Sequence, residues 1–170
     1  MAEPPPFDPY AILAALERRR ATYVVIGAFA RVVQGAEEIT DGIDIAPSFR
    51  GDNMRRLGLA LDDLEARRVD HKEVALDEAS IRDEPLIALR SAKGELKIVP
   101  EPAGTRGGYD DLRRAATREP IGKGLRPLVA SNPDLARMLA ALGRESDLPK
   151  LQALRRLAQL EGTLAPDLGL

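Results

Sequence analysis

The chain has 170 residues, no cysteine and one histidine, and its 25 Lys and Arg residues nearly balance its 27 Asp and Glu residues. Without cysteine, a disulfide framework and a thiolate metal site are excluded, and a single histidine cannot form a histidine metal cluster. Because the charges nearly balance, there is no overall basic field for non-specific nucleic-acid binding, and an RNA substrate would need a local patch.

The length suits one domain, and the apolar share of 44% is enough for a single core. We expect a disordered N-terminus over residues 1–8, one domain over residues 9–162 and a tail over residues 163–170. The first seven residues are acidic and proline-rich and do not resemble a secretory signal. No apolar run approaches the length of a membrane span. The sequence therefore predicts a soluble, cytoplasmic protein with no membrane partner.

Helix and strand patterns alternate through the first half of the chain. They predict a helix that begins after Asp8, a strand over 22–26, a helix over 28–34, a strand over 43–46 and a helix from Asp52 to about residue 64. The charged segment 65–84, which contains His71, is predicted to be a loop with at most one short strand or turn. Its lone histidine is interpreted as a solvated side chain.

The second half predicts a hairpin followed by a helical C-terminus. The expected elements are antiparallel strands over 85–91 and 95–99, a loop over 100–108, a helix over 109–116, a strand over 125–130, a helix capped by Ser131 and stopped by Gly143, and a final helix capped by Ser146. The expected fold is a mixed α/β (α+β) sheet of about five strands, flanked by helices. The strands at 22–26 and 43–46 should be neighbours.

A glycine stands directly between the strand at 22–26 and the helix at 28–34, and three kinds of fold place one there. A dinucleotide-binding turn needs G-x-G-x-x-G, but residues 27–32 contain only the first glycine. A P-loop needs a second glycine, a lysine and a hydroxyl, which do not follow Gly27. In the third, the polymerase-β-like nucleotidyltransferase, a strand with metal-binding carboxylates comes next. This fold fits best, because Asp41 and Asp44 flank the start of the next strand.

The chain resembles the AbiEii-type nucleotidyltransferases, many of which are toxins of bacterial toxin–antitoxin pairs. The family core is similar to hhhhGG-x-A followed by G-x-x-R-x-T-x-D-h-D-h, where h is apolar, and this chain has VVIGAFA at 24–30 and GAEEITDGIDI at 35–45. Three later segments resemble further family motifs: LKIVPEP at 96–102, GYDDL at 108–112, and SNPDL at 131–135 through LAALGRESD at 139–147. The match spans about residues 22–160.

Six family positions are changed, and most of them carry function. The second glycine is Ala28, the arginine is Glu38, the first aspartate of D-h-D is Gly42, the third acid is Lys97, and two lysines are Leu139 and Ser146. The family pattern is kept at Gly143, Arg144 and Asp147, and Asp44 alone remains of the paired acids.

The resemblance implies a role for each of these positions. Gly27 and Ala28 would lie at a triphosphate, Arg144 and Asp147 would bind nucleotide, Asp44 would be a weak or absent metal ligand, and Gly42 and Lys97 would mark a vestigial site. It also implies that Asp44 and Lys97 lie near each other on adjacent strands. A strand-edge aspartate that accepts backbone hydrogen bonds is an equally open interpretation of Asp44.

Nucleotidyl transfer uses two divalent cations, roughly 3.5 to 4 Å apart, that carboxylates must bracket. Residues two apart on a strand share a face, whereas Asp41 and Asp44 are three apart. Asp41 can therefore replace the missing acid only if it lies in the turn before the strand. A lysine at the third position puts positive charge where a metal ligand is needed and should lower Mg²⁺ affinity sharply.

The favoured hypothesis is a catalytically degenerate nucleotidyltransferase-fold protein that acts as a binding or interaction protein. The alternative is an active Mg²⁺-dependent enzyme that transfers NMP from a nucleoside triphosphate to an RNA end or a protein hydroxyl, with Asp44 and Asp41 as its catalytic residues. Mg²⁺ is expected as a cofactor only in the second case. The expected partners are a nucleoside triphosphate, RNA or an antitoxin-like protein.

Overall fold

The computed structural model describes residues 6–74 and 77–167, with side chains up to residue 162. The helices in these ranges are α1 (Pro9–Arg18), α2 (Gly27–Val33), α3 (Asn53–Asp63), α4 (Glu78–Arg82), α5 (Tyr109–Leu112), α6 (Asn132–Leu142) and α7 (Leu148–Asp167), with a 3-10 turn at Glu145–Asp147. The strands are β1 (Tyr23–Ile26), β2 (Gly42–Pro47), β3 (Arg67–Arg68), β4 (Ile87–Ser91), β5 (Gly94–Ile98), β6 (Thr117–Arg118) and β7 (Leu128–Val129).

The strands of the described residues form one mixed sheet of seven strands in the order β3-β4-β5-β2-β1-β7-β6. β2 pairs antiparallel with β1 and parallel with β5, and β1 pairs parallel with β7. The predicted mixed α/β sheet with a helical C-terminus is confirmed, and so are the neighbouring strands β1 and β2. The sheet has two strands more than expected, because β3 and β6 are two-residue edge strands.

Apolar side chains explain why β1 and β2 lie at the centre of the sheet. All four residues of β1 are buried, as are Ile43 and Ile45 of β2. Because side chains alternate along a strand, Ile43 and Ile45 lie on the opposite face of the sheet from Asp44. Helix α2 packs against β1 and β2, and α6 packs against α2 and α7. Ala28 of α2 and Leu135 of α6 line the same space as Asp44, so these two helices flank the face of the sheet that carries Asp44.

Three predicted helix ends are made by the residues that the sequence indicates. The Asp8 side chain accepts a hydrogen bond from the Ala11 backbone N–H at 3.0 Å, and Ser131 accepts one from Asp134 N–H at 3.2 Å. Gly143 ends α6 in the left-handed conformation, at φ 66°. These caps fix where α1 and α6 begin and where α6 stops.

Several predicted boundaries after residue 64 are wrong. The segment 65–84 contains β3 and also α4, which the Asp77 side chain caps by accepting a hydrogen bond from Ser80 N–H. The helix expected over 109–116 ends at Leu112, and the strand expected over 125–130 is only β7. Helix α7 starts at Leu148, after a 3-10 turn, and not at Ser146. The strands β3 and β7 form by pairing with other strands, which local sequence patterns do not show.

The described structure extends past both expected limits of the domain, residues 9 and 162. Residues 1–5 of the expected disordered segment lie outside the described residues, but the Phe7 ring packs edge-on against Phe29 at a centroid distance of 6.0 Å. The Asp8 backbone N–H also donates to the carbonyl of Lys93 at 2.8 Å. At the other end, α7 continues through Gly162 to Asp167, into the expected tail, whose last residues, 168–170, lie outside the described residues.

Candidate functional site

The turn from β1 into α2 brings Gly27 against Asp44. Gly27 has φ +72°, in the left-handed region, and a Cβ on it would stand 2.5 Å from Asp44 Oδ2. Only glycine satisfies both conditions without strain or a shift of the carboxylate. The glycine between strand and helix therefore leaves space for the Asp44 side chain.

Asp44 lies opposite Ile26 of β1 on one side and opposite Lys97 of β5 on the other. Burial raises the pKa of the Asp44 carboxyl, whereas the charges of Lys97 and Arg31 lower it, and Glu95 adds to the rise. The expected placement of Asp44 and Lys97 on adjacent strands is confirmed. The two side chains interact electrostatically but form no close ion pair, since none of the ion pairs within 4.0 Å among the described residues includes Lys97.

Asp44 and Lys97 lie in a cleft of about 360 Å³. Of the residues with an expected nucleotide role, Gly27, Ala28 and Arg144 also line it. Asp147 does not; it is buried and pairs with Arg144, whose Nε atom donates to Asp147 Oδ2 at 2.5 Å. The structure thus places Asp147 behind Arg144, where it holds the guanidinium at the edge of the cleft.

Apolar side chains of α6 form one wall of this cleft. Leu135, Met138 and Leu139 are buried, and Leu142 is 50% exposed at the rim. Leu139 stands where the resemblance places a lysine. The cleft therefore has a charged floor on the sheet and an apolar wall on the helix.

A small cavity of about 130 Å³ beside the cleft is lined by Asp41, Asp44, Glu95 and Lys97, among others. Asp41 is exposed and lies in the bend just before β2. This is the position from which it could replace the missing acid. Glu95 was not predicted as a site residue. It pairs in register with Gly42, and its side chain lies 3.3 Å from Arg90. Its position two residues before Lys97 on one strand was a signal that could have identified it.

Gly42, the other position expected to be vestigial, is tightly enclosed by β5. A Cβ at Gly42 would stand 2.9 Å from the carbonyl oxygen of Glu95 and 3.1 Å from its Cβ. A side chain at residue 42 therefore requires the two strands to shift. The first acid of the family pattern is absent from this chain, and the backbone leaves no room for it.

The positive charge of Lys97 disfavours a divalent cation beside Asp44. Two-metal transfer needs carboxylates on neighbouring strands, but the ammonium of Lys97 takes the register position opposite Asp44. Within residues 6–74 and 77–167, no group of three or more His, Cys, Asp or Glu side chains is arranged to hold a metal ion. Asp44 and Lys97 can instead hold a ligand by charge and hydrogen bonds.

A buried ion pair that the sequence analysis missed supports the cleft from behind. Arg31 of α2 donates to both carboxylate oxygens of Glu38, at 2.6 and 3.0 Å, and the two side chains are only 10% and 9% exposed. Lys150 Nζ lies 3.7 Å from the same carboxylate. The resemblance would place an arginine at residue 38. An arginine inside the apolar stretch of α2 was the available signal for a buried partner.

Two further features lie outside this cleft. His71 is exposed, with φ 64°, and lines neither the cleft nor the small cavity. A depression of about 420 Å³ lies between the segments 82–85 and 100–105, and it contains none of the predicted site residues.

Solved structures with a similar fold are nucleotidyltransferases. The antibiotic-resistance factor ANT(2'')-Ia, in a solution structure that describes substrate-regulated conformational dynamics, matches with a TM-score of 0.56 at 16% identity, over 89% of this chain and 80% of that one. This chain has a nucleotidyltransferase fold. A crystal structure of ANT(2'')-Ia with adenylyl-2''-tobramycin matches with a TM-score of 0.55 at 15% identity, over 89% of this chain and 86% of that one.

The same fold occurs in a Thermotoga maritima protein described as a candidate nucleotidyltransferase. It matches with a TM-score of 0.53 at 17% identity, over 87% of this chain and 88% of that one. No protein-family profile and no curated protein sequence matches the chain. In the part of the chain that the structure describes, no helix is both long and apolar enough to cross a membrane.

Proposed function

We propose that this chain is a nucleotidyltransferase-fold protein that binds an anionic ligand in its cleft and does not transfer nucleotides. The observation that supports this most strongly is the register of Asp44 opposite Lys97. An ammonium at that position repels a divalent cation and attracts an anion. The fold thus keeps its cleft while its side chains favour binding over metal-assisted transfer.

The ancestry of the protein is a second part of this proposal. The motif frame at 24–30 and 35–45 supports descent from AbiEii-type bacterial toxins, with a site that has since lost its acids and lysines. A nucleoside triphosphate, an RNA or an antitoxin-like protein would then be the ancestral kind of partner. The charges inside the cleft restrict which ligands the present chain can bind.

A polycationic ligand suits this cleft poorly. One ANT(2'')-Ia structure contains adenylyl-2''-tobramycin, and tobramycin carries several amines. The charged residues that line the present cleft are Arg31, Lys97 and Arg144 against Asp44. Arg31 and Arg144 are each paired with a carboxylate, so Lys97 is the cation of the cleft without a close partner among the described residues. A polycationic ligand would meet its ammonium, and like charges at close range repel.

An active Mg²⁺-dependent transferase remains a second candidate, because Asp41 and Glu95 line the same small cavity as Asp44. A shifted site would draw on these carboxylates, and Asp41 would then be required for activity together with Asp44. Lys97 lines this cavity too, so its charge opposes a cation at the shifted position as well.

The experiment is a binding titration with and without divalent metal. ATP, pyrophosphate and the aromatic sulfonate 8-anilinonaphthalene-1-sulfonate are titrated into the wild-type protein and Lys97→Met, first in EDTA and then in Mg²⁺. We expect at least one anion to bind the wild-type protein in EDTA, to bind Lys97→Met more weakly, and to gain nothing from Mg²⁺. Anion binding that appears only with Mg²⁺, or that is unchanged in Lys97→Met, would contradict the proposal.

A further inference from the structure

The cleft wall is apolar at residue 139, where the resemblance places a lysine. Leu139 is buried in the wall and replaces a lysine, and Leu86 and Leu142 are 45% and 50% exposed at the rim. Large apolar side chains left half-exposed around a concave site are typical of a site for an apolar group. Phosphate oxygens placed against this wall would lose water without gaining hydrogen-bond donors.

Only one cation of the cleft lacks a close carboxylate partner among the described residues. Arg31 is held by Glu38, and Arg144 is held by Asp147. Lys97 is half-buried and has no ion pair within 4.0 Å in residues 6–74 and 77–162, although it interacts electrostatically with Asp44. The floor therefore offers one ammonium to a ligand, which matches a single negative charge better than the several charges of a triphosphate.

The cleft's size is consistent with a small ligand. Its volume of about 360 Å³ lies near the lower end of the range for small-molecule sites, roughly 300 to 1,000 Å³. The apolar wall and the single available ammonium face the same space.

We infer that the ligand is a small carboxylic acid with a bulky apolar body, whose carboxylate pairs with Lys97 and whose body lies against Leu139, Leu142 and Leu86. This inference rests on the proposed function, since it names the class of anion that the cleft binds. A charge-assisted hydrogen bond from Lys97 holds the carboxylate, and burial of the body against the leucines supplies the remaining affinity.

The test compares two probes of the same shape, 1-naphthoate and the neutral 1-naphthylmethanol, by calorimetric titration in EDTA. We expect the wild-type protein to bind the carboxylate about tenfold more tightly than the alcohol, the ratio typical of one charge-assisted hydrogen bond. In Lys97→Met this ratio should fall to about one, because only the carboxylate uses the ammonium. Lys93→Met removes an exposed lysine outside the cleft and should keep the wild-type ratio.

A second pair of variants tests the apolar wall. Leu142→Ser should weaken both naphthalene probes to the same extent, by about fivefold, since it removes apolar surface at the rim. Leu160→Ser changes a leucine of α7 that is 55% exposed and outside the cleft, and it should leave both affinities unchanged. Circular dichroism melts confirm that each variant is folded before its titration is compared.

Each other result has a definite meaning. If pyrophosphate or ATP binds in a Lys97-dependent way while 1-naphthoate does not, the inference is wrong and the proposed function stands. An unchanged carboxylate-to-alcohol ratio in Lys97→Met would also overturn the inference. If no anion, 1-naphthoate included, shows Lys97-dependent binding, the proposed function fails with it.

Discussion

The carboxylate of Asp44 lies so close to Gly27 that a Cβ on the glycine would stand 2.5 Å from Oδ2. This contact links the strand-to-helix turn to the charged floor of the cleft. A change at either residue should therefore be felt at the other.

Gly27→Ala should destabilise the protein by roughly 2 to 4 kcal/mol, because it adds a clash with Asp44 to the cost of a left-handed alanine. Gly124→Ala is the matched control, since Gly124 has φ +76° with nothing within 4 Å of its Cβ position. It should cost only about 1 to 2 kcal/mol. Urea unfolding measures both. Equal costs, or no recovery when Asp44→Ala is added to Gly27→Ala, would show that the close approach does not matter.

Asp44→Asn should stabilise the protein at neutral pH, because burial raises the pKa of Asp44 above its ordinary value of 3.8. An acid with a raised pKa in the folded state binds protons more tightly there, so stability falls as the pH rises through the folded pKa. The advantage of Asp44→Asn should therefore disappear below about pH 3.8 and grow above it. Unfolding free energies of both proteins across the acidic range measure this difference.

The matched experiment repeats the comparison in the Lys97→Met background. Lys97 lowers the pKa of Asp44, so its removal should enlarge the stabilisation by Asp44→Asn at neutral pH. An advantage that is constant with pH, or that does not grow in Lys97→Met, would show that the charge of Asp44 is not coupled to its burial and to Lys97.

Arg31→Met should cost about 3 to 5 kcal/mol, because it leaves the Glu38 carboxylate buried without its bidentate partner. Adding Glu38→Gln should recover much of this loss. Arg19→Met is the control: Arg19 pairs with Asp63 in the same two-bond geometry, but the side chains are 41% and 29% exposed, and the loss should be about 0 to 1 kcal/mol. If both arginine substitutions cost the same in urea unfolding, burial of the Arg31 pair is not what makes it stabilising.

Lys97→Asp should make the stability of the protein depend on Mg²⁺, because it places a second carboxylate opposite Asp44. Without metal, the two like charges should lower the melting temperature. Mg²⁺ at about 100 times its dissociation constant would raise the free energy of unfolding by roughly 2.7 kcal/mol. In a protein of this size, this corresponds to a rise of several degrees in the melting temperature. The wild-type protein and Lys97→Asn should show no such rise in a thermal melt, and a rise of the same size in either would contradict the role assigned to Lys97.

Local patterns were sufficient to predict the centre of the fold. The buried run of β1, the glycine at residue 27 and the caps at Asp8 and Ser131 are each specified by residues close in sequence. The two-residue strand β6 was not predicted, and β3 was expected only as one short strand or turn within 65–84, because both exist through pairing with other strands. The length of α5 was overestimated and that of α7 was underestimated, since periodicity does not show where tertiary contacts end.

The sequence predicted the site residues that belong to a motif. It did not predict the charged residues that pair between different helices and strands. The motif frame located Asp44 and Lys97 and predicted their shared register. It gave no indication that Arg31 would hold Glu38 or that Glu95 would line the cavity beside Asp44. These contacts depend on how α2 and β5 pack on β2, which residue spacing in one chain does not encode.

The most direct test is a labelled-nucleotide transfer assay on the wild-type protein with Mg²⁺, all four α-labelled ribonucleoside triphosphates and RNA or protein acceptors. Asp44→Asn and Asp41→Asn are run beside it. We predict no incorporation above background in the wild-type protein and no difference between it and either variant, since the cleft opposes Asp44 with Lys97. Mg²⁺-dependent transfer by the wild-type protein that disappears in Asp44→Asn would contradict this prediction. If the transfer is also lost in Asp41→Asn, the active site is shifted towards the bend before β2.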